Sequence, residues 1–87
     1  MQILVGDTIY FDAYDASNGQ ELWAHDTSNS STWMVADINS GISNSYPGYY
    51  MEILVGDTIY FDAFDVSNGR ELWVFETVSR QHIIIYG

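Results

Sequence analysis

The chain has 87 residues and a mass of 9.9 kDa, the size of one small domain. Its 12 Asp and Glu residues against 2 Lys and Arg residues give a formal net charge of −10 at pH 7. This charge argues against nucleic-acid binding, which needs clustered basic side chains, and against adhesion to an anionic membrane surface.

The first 37 residues form short runs of apolar and alternating side chains separated by turn residues, the pattern of β-strands. Strands are predicted at 1–5, 8–14, 21–25 and 33–36. Gly6-Asp7 predicts a type II′ hairpin turn, and the polar cluster ending in Asn18-Gly19 predicts a second tight reversal. Because no segment has apolar residues at the helical spacing of about 3.6, we expect an all-β protein.

The chain repeats itself at an offset of 50, since Ile3–Ala24 and Ile53–Val74 are identical at 18 of 22 positions. A second set of four strands is therefore expected, the last at 83–86. The offset predicts one unit at 1–37, a connector at 38–50 and a second unit at 51–87. Because the apolar start of the chain recurs inside it, it is expected to be structure rather than a signal peptide.

Four-stranded antiparallel units of this length, repeated along a chain, are typical of β-propeller blades. The 13-residue connector is rich in Ser, Asn and Gly, as expected of a loop. It is long enough to cross the roughly 15 Å from an outer strand to the inner strand of the next blade. The alternative architecture is a dimeric β-sandwich.

Several motifs resemble the bacterial ELWxxDGT repeat. They are Asn18-Gly19-Gln20-Glu21-Leu22-Trp23, its partner Asn68-Gly69-Arg70-Glu71-Leu72-Trp73, the strand Gly56-Asp57-Thr58-Ile59-Tyr60-Phe61 and the segment Asp37-Ile38-Asn39-Ser40-Gly41. The resemblance implies tandem propeller blades and brings no established chemistry with it. The chain differs from that family after each Trp, where the Ser-Asp-Gly-Thr turn is missing.

Two blades do not close a ring, because propellers typically have about four to eight blades. They would leave exposed strand edges and an open apolar face. A cyclic homo-oligomer solves both problems, and a trimer of six blades is favoured over a tetramer of eight. The plan is similar to that of the small bacterial fucose-binding lectins, in which a trimer of two-blade chains closes the propeller. A fragment of a longer repeat array is the alternative.

Paired aromatic and acidic side chains are the candidate binding residues. An aromatic ring beside a carboxylate is typical of sugar sites, because sugar C–H faces stack on the ring while hydroxyls donate to the carboxylate. The predicted ligand-binding residues are Glu21, Trp23, Arg70, Glu71 and Trp73. The alternative is that the tryptophans pack between blades and the glutamates accept hydrogen bonds from backbone N–H groups at turns.

Two further groups of residues have both a structural and a functional interpretation. Asp12 and Asp62 lie in the middle of predicted strands, where buried carboxylates need hydrogen-bond partners. We expect them to brace turns, with the lining of a central channel as the alternative. Tyr46, Tyr49 and Tyr50 surround the single proline of the connector. We expect them to cover a sheet edge, with stacking on a ligand as the alternative.

The excess of carboxylates predicts a surface adapted to high salt, where screening relieves the self-repulsion of the chain. The alternative is calcium binding, because oxygen ligands recur around a glycine in both units. These candidate ligands are Asp15, Ser17, Glu21, Asp65, Ser67 and Glu71. Their spacing does not match the calcium loop of EF-hands.

No catalytic arrangement is recognisable. The sequence has no G-x-S-x-G elbow, no H-E-x-x-H pair and no Cys, and neither His belongs to the repeated unit. We therefore expect a non-catalytic binding or scaffolding protein without a cofactor. Its expected partners are other copies of itself and a carbohydrate at sites between blades. A purely structural assembly module without a small ligand is the alternative.

Overall fold

The computed structural model describes residues 1–78 and the backbone of residues 82–86. The described chain is all-β, as predicted, and each strand begins and ends within two residues of its expected bounds. The strands are β1 (Gln2–Val5), β2 (Thr8–Asp15), β3 (Gly19–Asp26), β4 (Ser31–Ala36), β5 (Glu52–Val55), β6 (Thr58–Asp65), β7 (Gly69–Glu76) and β8 (His82–Tyr86). Within this part of the chain, no helix is long and apolar enough to cross a membrane.

The strands form two antiparallel sheets in which neighbours in sequence are neighbours in space, with the orders β1-β2-β3-β4 and β5-β6-β7-β8. The first three strands of each sheet pair in the same register, so Phe11 lies opposite Trp23 and Phe61 opposite Trp73. The fourth strands differ by one residue, since Trp23 pairs with Met34 after an irregularity in the first sheet, whereas Trp73 pairs with Ile85. Gly6 has a φ of 59°, as the first central position of a type II′ turn requires. One sheet lies within each repeated unit.

The two sheets pack against each other through faces that are not equivalent in sequence. The first sheet contributes Ile3, Tyr10, Leu22 and Ala24, whereas the second contributes Ile59, Phe61, Ala63, Trp73 and Phe75. The rings of Tyr10 and Phe75 meet across this contact, with centroids 5.5 Å apart. Because one face of a blade contacts the opposite face of its copy, the two units are related head to tail.

The connector between the sheets is tied to both of them. Ser45, which is buried, donates its backbone N–H to the carbonyl of Gln20 (2.9 Å) and accepts a hydrogen bond from the backbone N–H of Phe64 (2.9 Å). The N–H of Gly48 donates to the carbonyl of Asp62 (2.7 Å). Ile38 enters the apolar core. The connector is therefore an ordered part of the packing between the sheets.

Candidate functional site

Each sheet packs against the other through one face and leaves its second face open. The open face of each sheet is equivalent in sequence to the packed face of the other sheet. The open face of the first sheet is half-buried and contains Ile9, Phe11, Ala13, Trp23 and His25, whose counterparts in the second sheet form the core. The open face of the second sheet contains Ile53, Tyr60 and Leu72, together with Val74, which is buried among its neighbours in the same chain. Ile53 is 54% exposed, whereas its counterpart Ile3 is 9% exposed. The two open faces thus have nearly the side chains of the contact already formed.

Two of the residues named for the open faces differ from their counterparts in the packed pair, and the fourth strands differ as well, since Trp33 and Val35 pack against the core where the second unit has Ile83 and Ile85. His25 stands where the second unit has Phe75, and Val74 stands where the first unit has Ala24. The imidazole Nδ1 of His25 lies 2.7 Å from the hydroxyl of Thr32, so its polar edge has a partner within its own sheet. The open faces are therefore apolar and matched in sequence to the faces that bury each other within the chain.

The predicted binding residue Glu21 holds the connector. Its carboxylate is fully buried and accepts hydrogen bonds from the backbone N–H groups of Ile38 (2.8 Å) and Asn39 (3.2 Å) and from the hydroxyl of Ser45 (2.7 Å). Burial raises the pKa of Glu21 above its usual range, although these hydrogen bonds oppose the shift. Glu21 therefore has the structural role that was considered above as the alternative to ligand binding, in which the glutamate accepts hydrogen bonds from backbone N–H groups.

Glu71, the equivalent of Glu21, has different surroundings. It is half-buried, and its carboxylate makes no hydrogen bond to any described residue. The connector that covers Glu21 follows the first sheet and leads into the second, so it does not reach the same position at Glu71. These equivalent glutamates therefore differ because only one of them has the connector across it.

The tryptophans also differ between the units. Trp73 is 9% exposed and lies in the core between the sheets, which is the packing role considered above as the alternative to ligand stacking. Trp23 lies on the open face of the first sheet and is half-buried. Both indole N–H groups are buried without a hydrogen-bond partner in the described part of the chain. Trp23 is thus the tryptophan whose ring a partner would reach.

Arg70 does not join Glu71 and Trp73, because neighbouring residues of a strand point to opposite faces of the sheet. Its guanidinium pairs instead with the carboxylate of Asp62 at 2.5 Å. The guanidinium carbon lies 5.1 Å from the ring centroid of Tyr50 and 5.8 Å from that of Tyr49, within the range of cation–π contact. Arg70 is therefore held within an aromatic cluster of the connector.

The aromatic cluster forms an open pocket of about 370 Å³ lined by Tyr46, Tyr49, Tyr50 and Arg70. The three tyrosines are 45%, 68% and 73% exposed, and the rings of Tyr49 and Tyr50 meet edge to face at 4.8 Å. Such a pocket offers apolar ring faces, phenolic hydroxyls and a guanidinium to one ligand. The sequence singled out the tyrosines, but no local signal showed that Arg70 lies among them.

The two mid-strand aspartates bind the start of each unit, with Asp62 holding the end of the connector and Asp12 the amino group of Met1 rather than a turn. The Asp62 carboxylate accepts hydrogen bonds from the backbone N–H groups of Tyr50 and Met51, both at 2.9 Å. The Asp12 carboxylate accepts one from the amino group of Met1 at 2.6 Å and another from the side-chain amide of Gln20. The same acidic position therefore anchors a peptide N–H in one unit and an ammonium group in the other.

The ion pair shifts the pKa values of both partners. Burial would lower the pKa of the Met1 amino group, but hydrogen bonds and attraction from Asp12 and Glu52 outweigh it, so the pKa lies above the usual 8.0. Burial would raise the pKa of Asp12, but hydrogen bonds from the Met1 amino group and Gln20 outweigh it, so the pKa lies below the usual 3.8. Both shifts favour the charged forms.

The candidate calcium ligands belong to separate hydrogen-bond networks. The carboxylate of Asp15 accepts hydrogen bonds from the backbone of Ser17 and Asn18 (both 2.8 Å), and that of Asp65 accepts one from the backbone of Asn68 (2.7 Å). Hydrogen bonds from Asn18 to Asp15 and from Asn68 to Asp65 lower the pKa values of these carboxyls. In the described residues, no three acidic or histidine side chains converge on one point.

Comparisons with protein-family models, with curated proteins and with solved structures find no match to this chain. The resemblance to the ELWxxDGT repeat therefore stays a prediction from the sequence motifs.

Proposed function

We propose that this chain is a non-catalytic scaffold that assembles head to tail into a closed β-propeller. The observation that carries the proposal is the match between the two open sheet faces and the two faces that pack within the chain. A second copy that places its first sheet on the open face of the second sheet repeats the contact already made. In that contact, Tyr60 meets His25 of the next copy as Tyr10 meets Phe75 within one chain.

Head-to-tail contacts between identical units form a ring when the rotation between neighbours closes, and an open filament when it does not. Three chains supply six blades and four supply eight, both within the usual range for propellers. We favour the trimer. Ring closure also covers the apolar faces, including Ile53, which the isolated chain exposes to water.

The charge of the chain sets the conditions for this assembly. Each copy brings a net charge of −10, so the copies repel one another at low salt. At about 1 M salt the Debye length falls to about 3 Å, and the apolar contact acts almost without this opposition. We therefore propose adaptation to high salt as part of the function.

Light scattering after size exclusion, at about 0.1 M and about 3 M NaCl, tests the proposal by measuring the solution mass. We expect a single species of three or four chain masses that sharpens at high salt. Phe11→Asp, on the open face of the first sheet, should yield the monomer even at high salt. Val66→Asp, which adds the same charge at a turn position that is 81% exposed, is the matched control and should still assemble.

A monomer or a dimer of the unsubstituted protein at both salt concentrations would contradict ring closure. A dimer that also resists Phe11→Asp would point to a sandwich formed through other surfaces. His25→Phe gives a test in the opposite direction, because it makes the contact between copies resemble the contact within the chain more closely. It should shift the assembly equilibrium toward the oligomer at low salt.

We propose carbohydrate binding as a second function, supported by the exposed aromatic pocket around Arg70. The ring faces of Tyr49 and Tyr50 suit the C–H faces of a sugar, and the guanidinium of Arg70 suits its hydroxyls. These residues differ from Glu21 and Trp73, which are buried. The pocket is therefore the place where the expected carbohydrate would bind.

A glycan array followed by saturation-transfer NMR tests this second function. Binding should be lost in Tyr50→Ala and weakened in Arg70→Gln, which installs the side chain that the first unit carries at the equivalent position. Trp23→Ala serves as the control outside the pocket and should retain binding. Binding that survives Tyr50→Ala but is lost in Trp23→Ala would place the sugar on the open sheet face instead.

A further inference from the structure

The turn between β2 and β3 and its copy between β6 and β7 have nearly the same sequence and the same shape, but only the first has a chain segment lying across it. Gly19 and Gly69 have φ values of 74° and 73°. In both turns the Asp carboxylate that opens the turn accepts a hydrogen bond from the Asn three residues later. The two turns are therefore a matched pair within one molecule.

The first turn and the start of β3 hold the connector through six hydrogen bonds. Three go to the Glu21 carboxylate, as described above. The other three use the backbone of Gln20. Its N–H donates to the side-chain oxygen of Asn44 (2.8 Å), and its carbonyl accepts from the N–H (2.9 Å) and the hydroxyl (3.1 Å) of Ser45. Because these three bonds involve only backbone atoms of Gln20, they do not depend on its side chain.

The connector also approaches the first turn closely at Gly19. A Cβ atom at this position would lie 2.6 Å from the carbonyl oxygen of Ser43 and 2.7 Å from that of Ile42, distances that real side chains do not adopt. The missing side chain thus creates the space in which the connector backbone lies.

The corresponding features of the second turn have no such occupant. A Cβ atom at Gly69 would meet no described atom within 4 Å. The carboxylate of Glu71 makes no hydrogen bond to a described residue, and the bonds of Gln20 to Asn44 and Ser45 have no counterpart at Arg70 in residues 1–78. We call Gly69, Arg70 and Glu71 the second cradle.

We propose that the second cradle binds, in trans, an extended peptide segment with the chemistry of residues 38–45. The segment would donate two successive backbone N–H groups to Glu71 and would place an Asn-Ser pair against the backbone of Arg70. Residues 38–45 carry no charged side chain, which suits an occupant of a chain whose own net charge is −10. The occupant is therefore an uncharged polar peptide, and the first turn shows the contacts it would make.

This binding does not depend on ring assembly. The propeller contact uses the open faces of the sheets, whereas the cradle is the edge of a turn and the strand end that follows it. The two proposals can therefore fail separately.

The test is a titration of a labelled, terminally blocked peptide of residues 38–45 with the 87-residue protein, followed by fluorescence anisotropy. We expect saturable binding that Glu71→Ala weakens about tenfold or more, since tenfold corresponds to about 1.4 kcal/mol and a hydrogen bond to a charged group contributes at least that much. Gly69→Ala should weaken it similarly by occupying the backbone path. Asp57→Ala, which removes the same charge from an exposed turn, is the matched control and should bind normally.

A scrambled peptide of the same composition should bind about tenfold more weakly or worse. Circular dichroism establishes that each variant is folded, and Glu71→Gln, which keeps the size of the side chain, is the second variant should Glu71→Ala lose its structure. Equal binding by the folded Glu71 variant, equal binding of the scrambled peptide, or no saturable binding by the unsubstituted protein would each overturn the proposal. Equal binding would mean that the peptide associates elsewhere, including at the first turn.

Discussion

Removing the carboxylate at position 21 or at position 71 provides a comparison in which the local sequence is nearly constant. Glu21→Ala removes the acceptor of three hydrogen bonds from the connector, whereas Glu71→Ala removes a carboxylate that has no partner among the described residues. The two glutamates have the same neighbours on both strands, apart from Gln20 and Tyr14 in the first unit and Arg70 and Phe64 in the second. Any difference in stability between the variants therefore measures what the connector gains from Glu21.

The expected loss of unfolding free energy follows from the hydrogen-bonding groups that Glu21→Ala leaves without an acceptor. In Glu21→Ala, the N–H groups of Ile38 and Asn39 and the hydroxyl of Ser45 lose their acceptor at a buried site, and each unsatisfied group costs about 1–3 kcal/mol. The removal of a buried carboxylate offsets part of this cost, since its desolvation is unfavourable. We expect a net loss of about 3 kcal/mol for Glu21→Ala and of less than about 1 kcal/mol for Glu71→Ala.

Urea denaturation and thermal unfolding at high salt measure both values. For a domain of this size, about 3 kcal/mol corresponds to a fall in melting temperature of about 12–24 °C. The unfolding should be followed by tryptophan fluorescence and by circular dichroism, because agreement between them supports a two-state analysis. Equal losses for the two variants, or a larger loss for Glu71→Ala, would refute the assignment of Glu21 as the anchor of the connector.

The pH dependence provides an independent check on Glu21. Because its pKa is raised in the folded protein, the folded state binds the proton more readily than the unfolded state does. The stability contributed by protonation is fully present below the usual pKa of 4.5 and is lost as the pH rises through the folded pKa. The difference in stability between the unsubstituted protein and Glu21→Ala should therefore shrink as the pH rises above 4.5. A difference that grows with pH would contradict the sign of this shift.

Three further predictions follow from the structure. Gly19→Ala and Gly69→Ala introduce the same backbone strain at positive φ, but Gly19→Ala also forces the connector away. Its loss of unfolding free energy should therefore exceed that of Gly69→Ala by about 1–3 kcal/mol. Equal losses in denaturant titrations would contradict the close approach of the connector to Gly19. Asp12→Asn removes the ion-pair partner of the Met1 amino group. The raised pKa of that amino group contributes stability that is fully present below pH 8.0, and the lowered pKa of Asp12 contributes stability that is fully present above pH 3.8. The destabilisation caused by Asp12→Asn should therefore be largest between these pH values. Urea midpoints measured at about pH 3, 6 and 10 test this, and a difference from the unsubstituted protein that is the same at all three would refute the ion pair. Raising NaCl from about 0.1 to 3 M should raise the melting temperature by screening carboxylate repulsion, and CaCl₂ at matched ionic strength should raise it equally; a larger effect of calcium would instead support a specific site.

The sequence alone determined the all-β class, the repeat and the bounds of the strands to within two residues. These features are local, because alternation with a period of two and turn residues such as Gly6 act over a few neighbouring positions. That Asp12 and Asp62 have hydrogen-bond partners was also accessible, since a carboxylate among aromatic side chains in a strand needs them.

The tertiary structure decided which copy of each repeated residue is buried. Glu21 and Glu71, or Trp23 and Trp73, are indistinguishable in local sequence, and only the second sheet and the connector give them different surroundings. The pocket around Arg70 likewise depends on where the connector crosses the second sheet. The physical reason is that hydrogen-bond satisfaction and burial depend on what packs across a residue, and for Glu21 those partners lie 17 to 24 residues away in sequence.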